Sequence, residues 1–187
     1  ETGEAGGGMT YNLGAHVIDQ AVQLFGMPQA IFADIATLRD NGVVDDYFII
    51  HLLKPSKAPE VRITLKASYL MCEREPRFIL HGTEGSFVKY GLDRQEEDLT
   101  NGLMPDSPHW GEEDSSIWGL LHTEKNTINV RERYPSLPGN YGAFYENIYQ
   151  HIRNGIILES DAREVVDVIR LIEAAWESSR TKSVQNL

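Results

Sequence analysis

Apolar residues recur at spacings of three and four through Met9, Leu13, Val17, Ala21 and Leu24, which predicts an amphipathic helix from Met9 to Phe25, ended by Gly26 and Pro28. The period then shortens. "AIFADIATLRD" runs up to Asn41-Gly42, a turn dipeptide, and "VVDDYFIIHLLK" and "VRITLKASYLM" are separated by the loop from Pro55 to Pro59. In the last of these, Val61, Ile63, Leu65 and Ala67 face one way and Arg62, Thr64, Lys66 and Ser68 the other, so one face is solvated or meets polar partners. "DYFIIHLL" is apolar on both faces, the pattern of a central strand covered on both sides.

"RFILHG" and "SFVKYG", split by Gly82-Thr83-Glu84-Gly85, predict a hairpin, and "NTINVRERY" predicts one more strand. Leu92 to Glu124 is acidic, proline-containing and weakly periodic, and reads as a long loop with local structure. Beyond Pro135 and Pro138-Gly139, two helices close the chain, at about Tyr141 to Arg153 and Asp161 to Arg180. The second carries a broad apolar face of Ala162, Val165, Val166, Ile169, Ile172, Ala175 and Trp176, with Asp161 and Glu164 spaced as a capping box. A helix, a run of strands and two closing helices predict an α+β fold: a large, open, mainly antiparallel sheet with helices packed on one face. Tyr141, Phe144 and Tyr145 lie at spacings that suit core packing.

The 187 residues fit one domain. An apolar fraction of 41% and a charged fraction of 24% are those of a globular protein, and no apolar run approaches the roughly 20 residues that span a bilayer. A formal net charge of -11 without a basic cluster excludes the phosphate-neutralising surface that nucleic-acid binding requires. Cys72 is alone, so neither an internal disulfide nor a thiolate metal site forms. It reads as a small, buried or half-buried apolar residue, and its isolation fits a reducing, cytoplasmic setting.

Candidate chemistry concentrates at "GGGMTYNLGAHVIDQ", Gly6 to Gln20. At about 100° per residue, His16 lies about 40° and Asp19 about 20° from Asn12, so the three share a stripe of the first helix. Glycines before a helix permit close approach of a backbone or ligand, and the free amides of a helix start favour anionic or carbonyl oxygen. Histidine is suited to proton transfer near neutral pH, and an amide or carboxylate one turn away can orient it or bind the same substrate hydroxyl. The alternative is a hydrogen-bonded surface histidine behind a flexible glycine lead-in. A metal site is not expected, because an amide is a poor ligand for metals that suit histidine. His51, His81, His109, His122 and His151 are scattered and read as structural. Trp110 and Trp118 flank the acidic loop, where contact with a partner subunit or a sugar is open.

The run Gly6-Gly7-Gly8, Asn12, Leu13-Gly14, His16, Asp19 resembles the signature that opens the C-terminal domain of the Gfo/Idh/MocA oxidoreductases, relatives of glucose-fructose oxidoreductase and inositol dehydrogenase. "LHGTEGSFVKYG", "EEDLTNGLMPDSPHWG", "GNYGAFYENIYQHIRNG" and "VIRLIEAAWESSRT" extend the similarity over nearly the whole chain. The resemblance implies that residues 1–187 are the substrate-binding and oligomerising half of a two-domain dehydrogenase. NAD or NADP would be bound mainly by a Rossmann domain upstream of Glu1 that also carries a Glu-Lys-Pro lysine, because no Gly-x-Gly-x-x-Gly follows a strand here. The chain alone is then expected to be inactive.

By the same resemblance His16 matches the proton acceptor, or a residue that helps position one, while hydride moves from a sugar, polyol or related hydroxylated compound to the nicotinamide. Asn12, with His16, would contact the substrate. Asn12 stands where many members have aspartate; it can hydrogen-bond a hydroxyl but cannot take a proton. Asp19 would orient the helix or cap a neighbouring group. The implied partners are a small-molecule substrate and further copies of the chain, through the open sheet face. The other reading is a catalytically silent binding or structural module that uses that face for subunit contact.

Overall fold

The computed structural model describes residues 6–125, 128–160 and 162–187. The chain forms two compact units, Glu1–Cys72 with Ser160–Leu187, and Glu73–Glu159. Each contains a four-stranded antiparallel sheet, so the strand-rich middle forms open antiparallel sheets, divided between the two units.

In the first unit a π-helical turn, Thr10–Gly14, runs directly into helix α1, Ala15–Phe25. Helix α1 ends at Gly26, whose φ of 80° excludes most side chains and whose N–H donates to the Val22 carbonyl. Strands β1 (Ala30–Ala36), β2 (Tyr47–Leu53) and β3 (Ile63–Ser68) follow, and after helix α4 (Ala162–Thr181) the short strand β8 (Gln185–Asn186) completes the order β3-β2-β1-β8. Register fixes the core. Ile31, Leu52 and Ile63 lie side by side across the three strands, as do Ala33, Ile50 and Leu65, and Ile35, Phe48 and Ala67. This face packs against Met9, Ile18 and Ala21 of the first helical segment and Val168, Leu171, Ile172 and Ala175 of α4. The other face presents Phe32, His51 and Thr64 in one row and Asp34, Ile49 and Lys66 in the next.

In the second unit β4 (Phe78–Gly82) and β5 (Gly85–Lys89) form the expected hairpin, extended by β6 (Gly119–Lys125) and β7 (Ile128–Tyr134) in the order β4-β5-β6-β7. Between β5 and β6 lies a short helix α2 (Gln95–Thr100), and after β7 comes α3 (Tyr141–Asn154), capped by the Asn140 side chain on the Ala143 N–H.

Several expectations change. Strand β2 is central, yet only one of its faces is fully buried: Phe48, Ile50 and Leu52 point into the core, while Tyr47, Ile49, His51 and Leu53 are half-buried on the open face. Two consecutive isoleucines suit any sheet surface and do not require cover on both sides. Cys72 is exposed, because β3 ends at Ser68 and the chain has left the sheet before reaching it. On α4 the buried stripe is Val168, Leu171, Ile172, Ala175, Ser178 and Ser179, and the expected Ala162, Val165, Val166 and Ile169 are exposed. Asp161 of the capping box lies outside the described residues. Tyr141, Phe144 and Tyr145 are exposed, and Phe144 meets Tyr145 edge-on at 5.5 Å. No residue of α3 is buried. On the first helical segment Met9, Thr10, Gly14, Ile18 and Ala21 are buried, whereas the expected Leu13 and Leu24 are exposed and Val17 is half-buried: spacing finds apolar positions but cannot say which of them this chain covers.

Candidate functional site

The segment carrying Asn12 and His16 is pinned at both ends. At its start the Met9 N–H donates to the Asp45 carbonyl at 3.0 Å, and the Thr10 N–H and hydroxyl both donate to Asp45 Oδ2 at 2.6 Å. Beyond the π turn, Ile18 and Ala21 enter the core. At 100° per residue His16 lies about 200° from Ile18, so the packing that buries Ile18 turns His16 outward. Asn12 and His16 are exposed and Asp19 is half-exposed.

The histidines then differ in kind. His51 Nδ1 is bonded to Thr64 Oγ1, His81 to the Ser86 hydroxyl, His109 to Glu112, His122 to Asn129 and His151 to the Ile156 carbonyl. Among the described residues only the His16 ring has no intramolecular partner, and the side chains of Asn12 and Asp19 have none. A histidine whose lone pair and N–H are both uncommitted and solvent-facing is available to an external hydroxyl. The five partnered rings are held by their own sheet, loop or helix end.

The glycine run has a different explanation from a ligand cradle. Gly8 has φ of 99°, and a Cβ placed there would overlap Asp45 Oδ1. The close approach that the glycine permits is made by the chain's own carboxylate. Asp45 is 2% exposed and occupies the helix start with its negative charge, taking the Met9 and Thr10 amides, so a phosphate does not fit there. This chain therefore offers no dinucleotide cradle at Gly6 to Gly8. Among the described residues no group of three His, Cys, Asp or Glu side chains converges as a metal site. No helix of the described residues is long and apolar enough to cross a membrane.

Asp45 and Thr10 escaped sequence reasoning. They are 35 residues apart, and the Asp45-Asp46 pair before an apolar strand looks like ordinary polar punctuation. Trp110 and Trp118 prove to be internally engaged, donating to Gln95 Oε1 and the Glu113 carbonyl, each at 3.1 Å.

The sequence matches the family model described as the oxidoreductase family, C-terminal alpha/beta domain, over residues 1–187. The chain belongs to the Gfo/Idh/MocA oxidoreductase family, of which it is this C-terminal domain. It is 38% identical over 175 residues to the scyllo-inositol 2-dehydrogenase (NADP(+)) IolW of Bacillus subtilis (strain 168), an alignment covering 94% of this chain and 48% of that protein. A crystal structure of a candidate oxidoreductase from Bacteroides fragilis NCTC 9343 superposes with a TM-score of 0.91 at 61% identity, covering 97% of this chain and 54% of the other. An oxidoreductase structure from Bacillus cereus gives a TM-score of 0.82 at 35% identity, with 96% and 60% covered. The chain spans about half the length of the curated relatives it matches.

Proposed function

We propose that the protein is an NAD- or NADP-dependent dehydrogenase of a sugar, polyol or related hydroxylated compound, and that residues 1–187 supply its substrate-binding half. The observation that carries this reading is the free, outward His16 ring on the same helical side as Asn12, in a chain similar to an NADP-linked inositol dehydrogenase. A bound nicotinamide would supply the hydride acceptor, held by a domain outside this chain. What this chain contributes concerns the proton: the substrate hydroxyl hydrogen-bonds a ring nitrogen of His16, and that nitrogen takes the hydroxyl proton as the carbon is oxidised. Asn12 donates or accepts a hydrogen bond at the same or a neighbouring hydroxyl and fixes its orientation. Asp19, half-exposed one turn on, is placed to orient the segment rather than to touch substrate. The setting fits the cytoplasm.

The test is turnover of the full-length protein with scyllo-inositol and other polyols, with either nucleotide. His16→Ala is expected to lower kcat by about 10²-fold or more. Unchanged turnover in a protein that otherwise oxidises the substrate removes His16 from the chemistry.

Asn12 favours a second reading, a catalytically silent module, because an amide cannot relay a proton. A full-length protein that assembles but binds neither NAD nor NADP would support it. Both readings include a homo-oligomer formed through the open sheet face, supported by the mixed rows Phe32, His51, Thr64 and Asp34, Ile49, Lys66, which no helix of this chain is needed to bury. Analytical ultracentrifugation at micromolar concentration tests it, and a strict monomer opposes it.

A further inference from the structure

The carboxylate of Asp45 is an expensive group where it stands. It is 2% exposed, Oδ2 takes both donors of Thr10, and Oδ1 is buried without a hydrogen-bond partner against Gly8. A buried carboxylate oxygen left unpartnered costs free energy, so what the other oxygen holds must matter to the fold or to the site. It holds the first residue of the π turn.

That turn changes the geometry of the stripe. Thr10, Gly14 and Ile18 are all buried at successive intervals of four. In an unbroken α-helix each interval drifts by about 40°, and the three would wind off the core face. A turn bonded i to i+5 is wider and advances less per residue, so the interval from Thr10 to Gly14 falls short of a full turn, offsets the drift of the α-helical interval from Gly14 to Ile18 and returns Thr10 to the line of Ile18. The same correction acts on the outer side. Asn12 lies inside the π turn and His16 just beyond it, so their offset shrinks below 40° and Asn12 sits more nearly one turn beneath the ring. Without the anchor at Thr10, the segment can relax toward α-helical winding and carry Asn12 away from His16.

We propose that Asp45 is a positioning residue for the candidate site: by clamping Thr10 it maintains the π turn that aligns Asn12 with His16. The catalytic part of this inference rests on the proposed role of His16, whereas the alignment does not. Asp45 touches neither substrate nor cofactor in this role; it acts through the backbone of Thr10.

The test uses the full-length protein with Thr10→Val, which removes one donor at similar volume, Thr10→Ser, which keeps it, and Asp45→Asn. Amide hydrogen exchange at Tyr11–Gly14 is expected to accelerate by about tenfold in Thr10→Val, with the α4 core amides Leu171 and Ile172 unchanged and Thr10→Ser close to wild type. The imidazole resonances of His16 are expected to move in Thr10→Val while those of His51, bonded to Thr64, stay. Wild-type exchange and unmoved His16 resonances in both Thr10→Val and Asp45→Asn would overturn the clamp, and Thr10→Val serves if Asp45→Asn fails to fold. With scyllo-inositol and NADP as the assay pair, kcat should fall about tenfold in Thr10→Val with KM within about twofold. Wild-type kcat in Thr10→Val, where His16→Ala is impaired, would overturn the positioning role. Wild-type kcat in His16→Ala would instead overturn the catalytic reading and leave the exchange and resonance data to judge the clamp.

Discussion

The hydroxyl of Ser179 on α4 accepts the Ile35 N–H of β1 at 2.9 Å and donates to the Ile35 carbonyl at 3.3 Å. Ser178, its neighbour, accepts the Ala33 N–H at 3.0 Å and donates to the Ser183 carbonyl. Strand β8 pairs with β1 only at Ala30 and Ile31. The two serines therefore serve as a substitute strand where β8 stops, satisfying backbone groups that would otherwise form an open edge. Ser179→Ala should lower stability by about 1–3 kcal/mol, since it leaves a buried N–H without an acceptor. Urea denaturation reads this as a lower midpoint at constant slope; a midpoint within error of wild type would mean that water replaces the hydroxyl.

Gly8 and Gly6 both have positive φ, 99° and 87°, but a Cβ at Gly6 meets nothing within 4 Å whereas one at Gly8 overlaps Asp45. Gly6→Ala should therefore carry backbone strain alone, on the order of 1–3 kcal/mol. Gly8→Ala should exceed it, because Asp45 must also move and give up Thr10. Equal midpoints for the two variants in urea would show that the Asp45 side chain relaxes without loss.

Much of the frame could be read from the chain. Residues Gly82 to Gly85 set the β4–β5 hairpin, the spacing of Met9 to Leu24 set the first helix, and the alternation from Val61 set β3 and its core face. An outward His16 does not follow from the expected stripe of Met9, Leu13, Val17, Ala21 and Leu24, because it depends on Ile18, and not Leu13 or Leu24, entering the core. What escaped depended on distant partners. Strand β6, Gly119–Lys125, lies almost wholly in the acidic, proline-containing, weakly periodic stretch from Leu92 to Glu124 that reads as a loop, and its stability comes from pairing with β5 and β7. The loop before it is ordered by buried Gln95, whose amide accepts from the Trp110 Nε1–H and the Tyr141 N–H. The role of the glycine run could not be separated from a ligand cradle without knowing that Asp45 folds back onto it.

Asp46 is buried before β2 and accepts from the Leu38 and Arg39 amides at 2.7 and 3.1 Å and from Arg39 Nε at 2.8 Å. The Leu38 N–H foremost, then the Arg39 side chain, hold its carboxyl below the ordinary aspartate range, against the opposing effect of burial. A lowered folded pKa means that the unfolded chain binds the proton more readily. Its contribution is thus complete well above the ordinary value of about 3.9 and is lost as pH falls through the lowered folded value. The stability difference between wild type and Asp46→Asn should be constant from pH 7 down to about 5 and shrink below about 4. A difference that stays unchanged down to pH 3, in guanidinium titrations at each pH, would contradict this assignment.

Lys89 and Glu113 form a pair with little access to water, their side chains 10% and 4% exposed, with Nζ 2.8 Å from both carboxylate oxygens and 2.7 Å from the Ile117 carbonyl. Removing one member of such a pair leaves an uncompensated buried charge, which costs about 3–5 kcal/mol, whereas replacing both by apolar side chains of similar volume is often neutral. Lys89→Met should accordingly be strongly destabilised, and Lys89→Met with Glu113→Leu should recover most of the loss. The ordering of the two variants carries the argument, because an exposed pair would give a small effect in the single variant and nothing to recover in the double. A double variant less stable than Lys89→Met would mean instead that Glu113 is held chiefly by something other than Lys89. Thermal and urea denaturation of wild type, Lys89→Met, Glu113→Leu and the double variant, combined as a double-mutant cycle, distinguishes these outcomes.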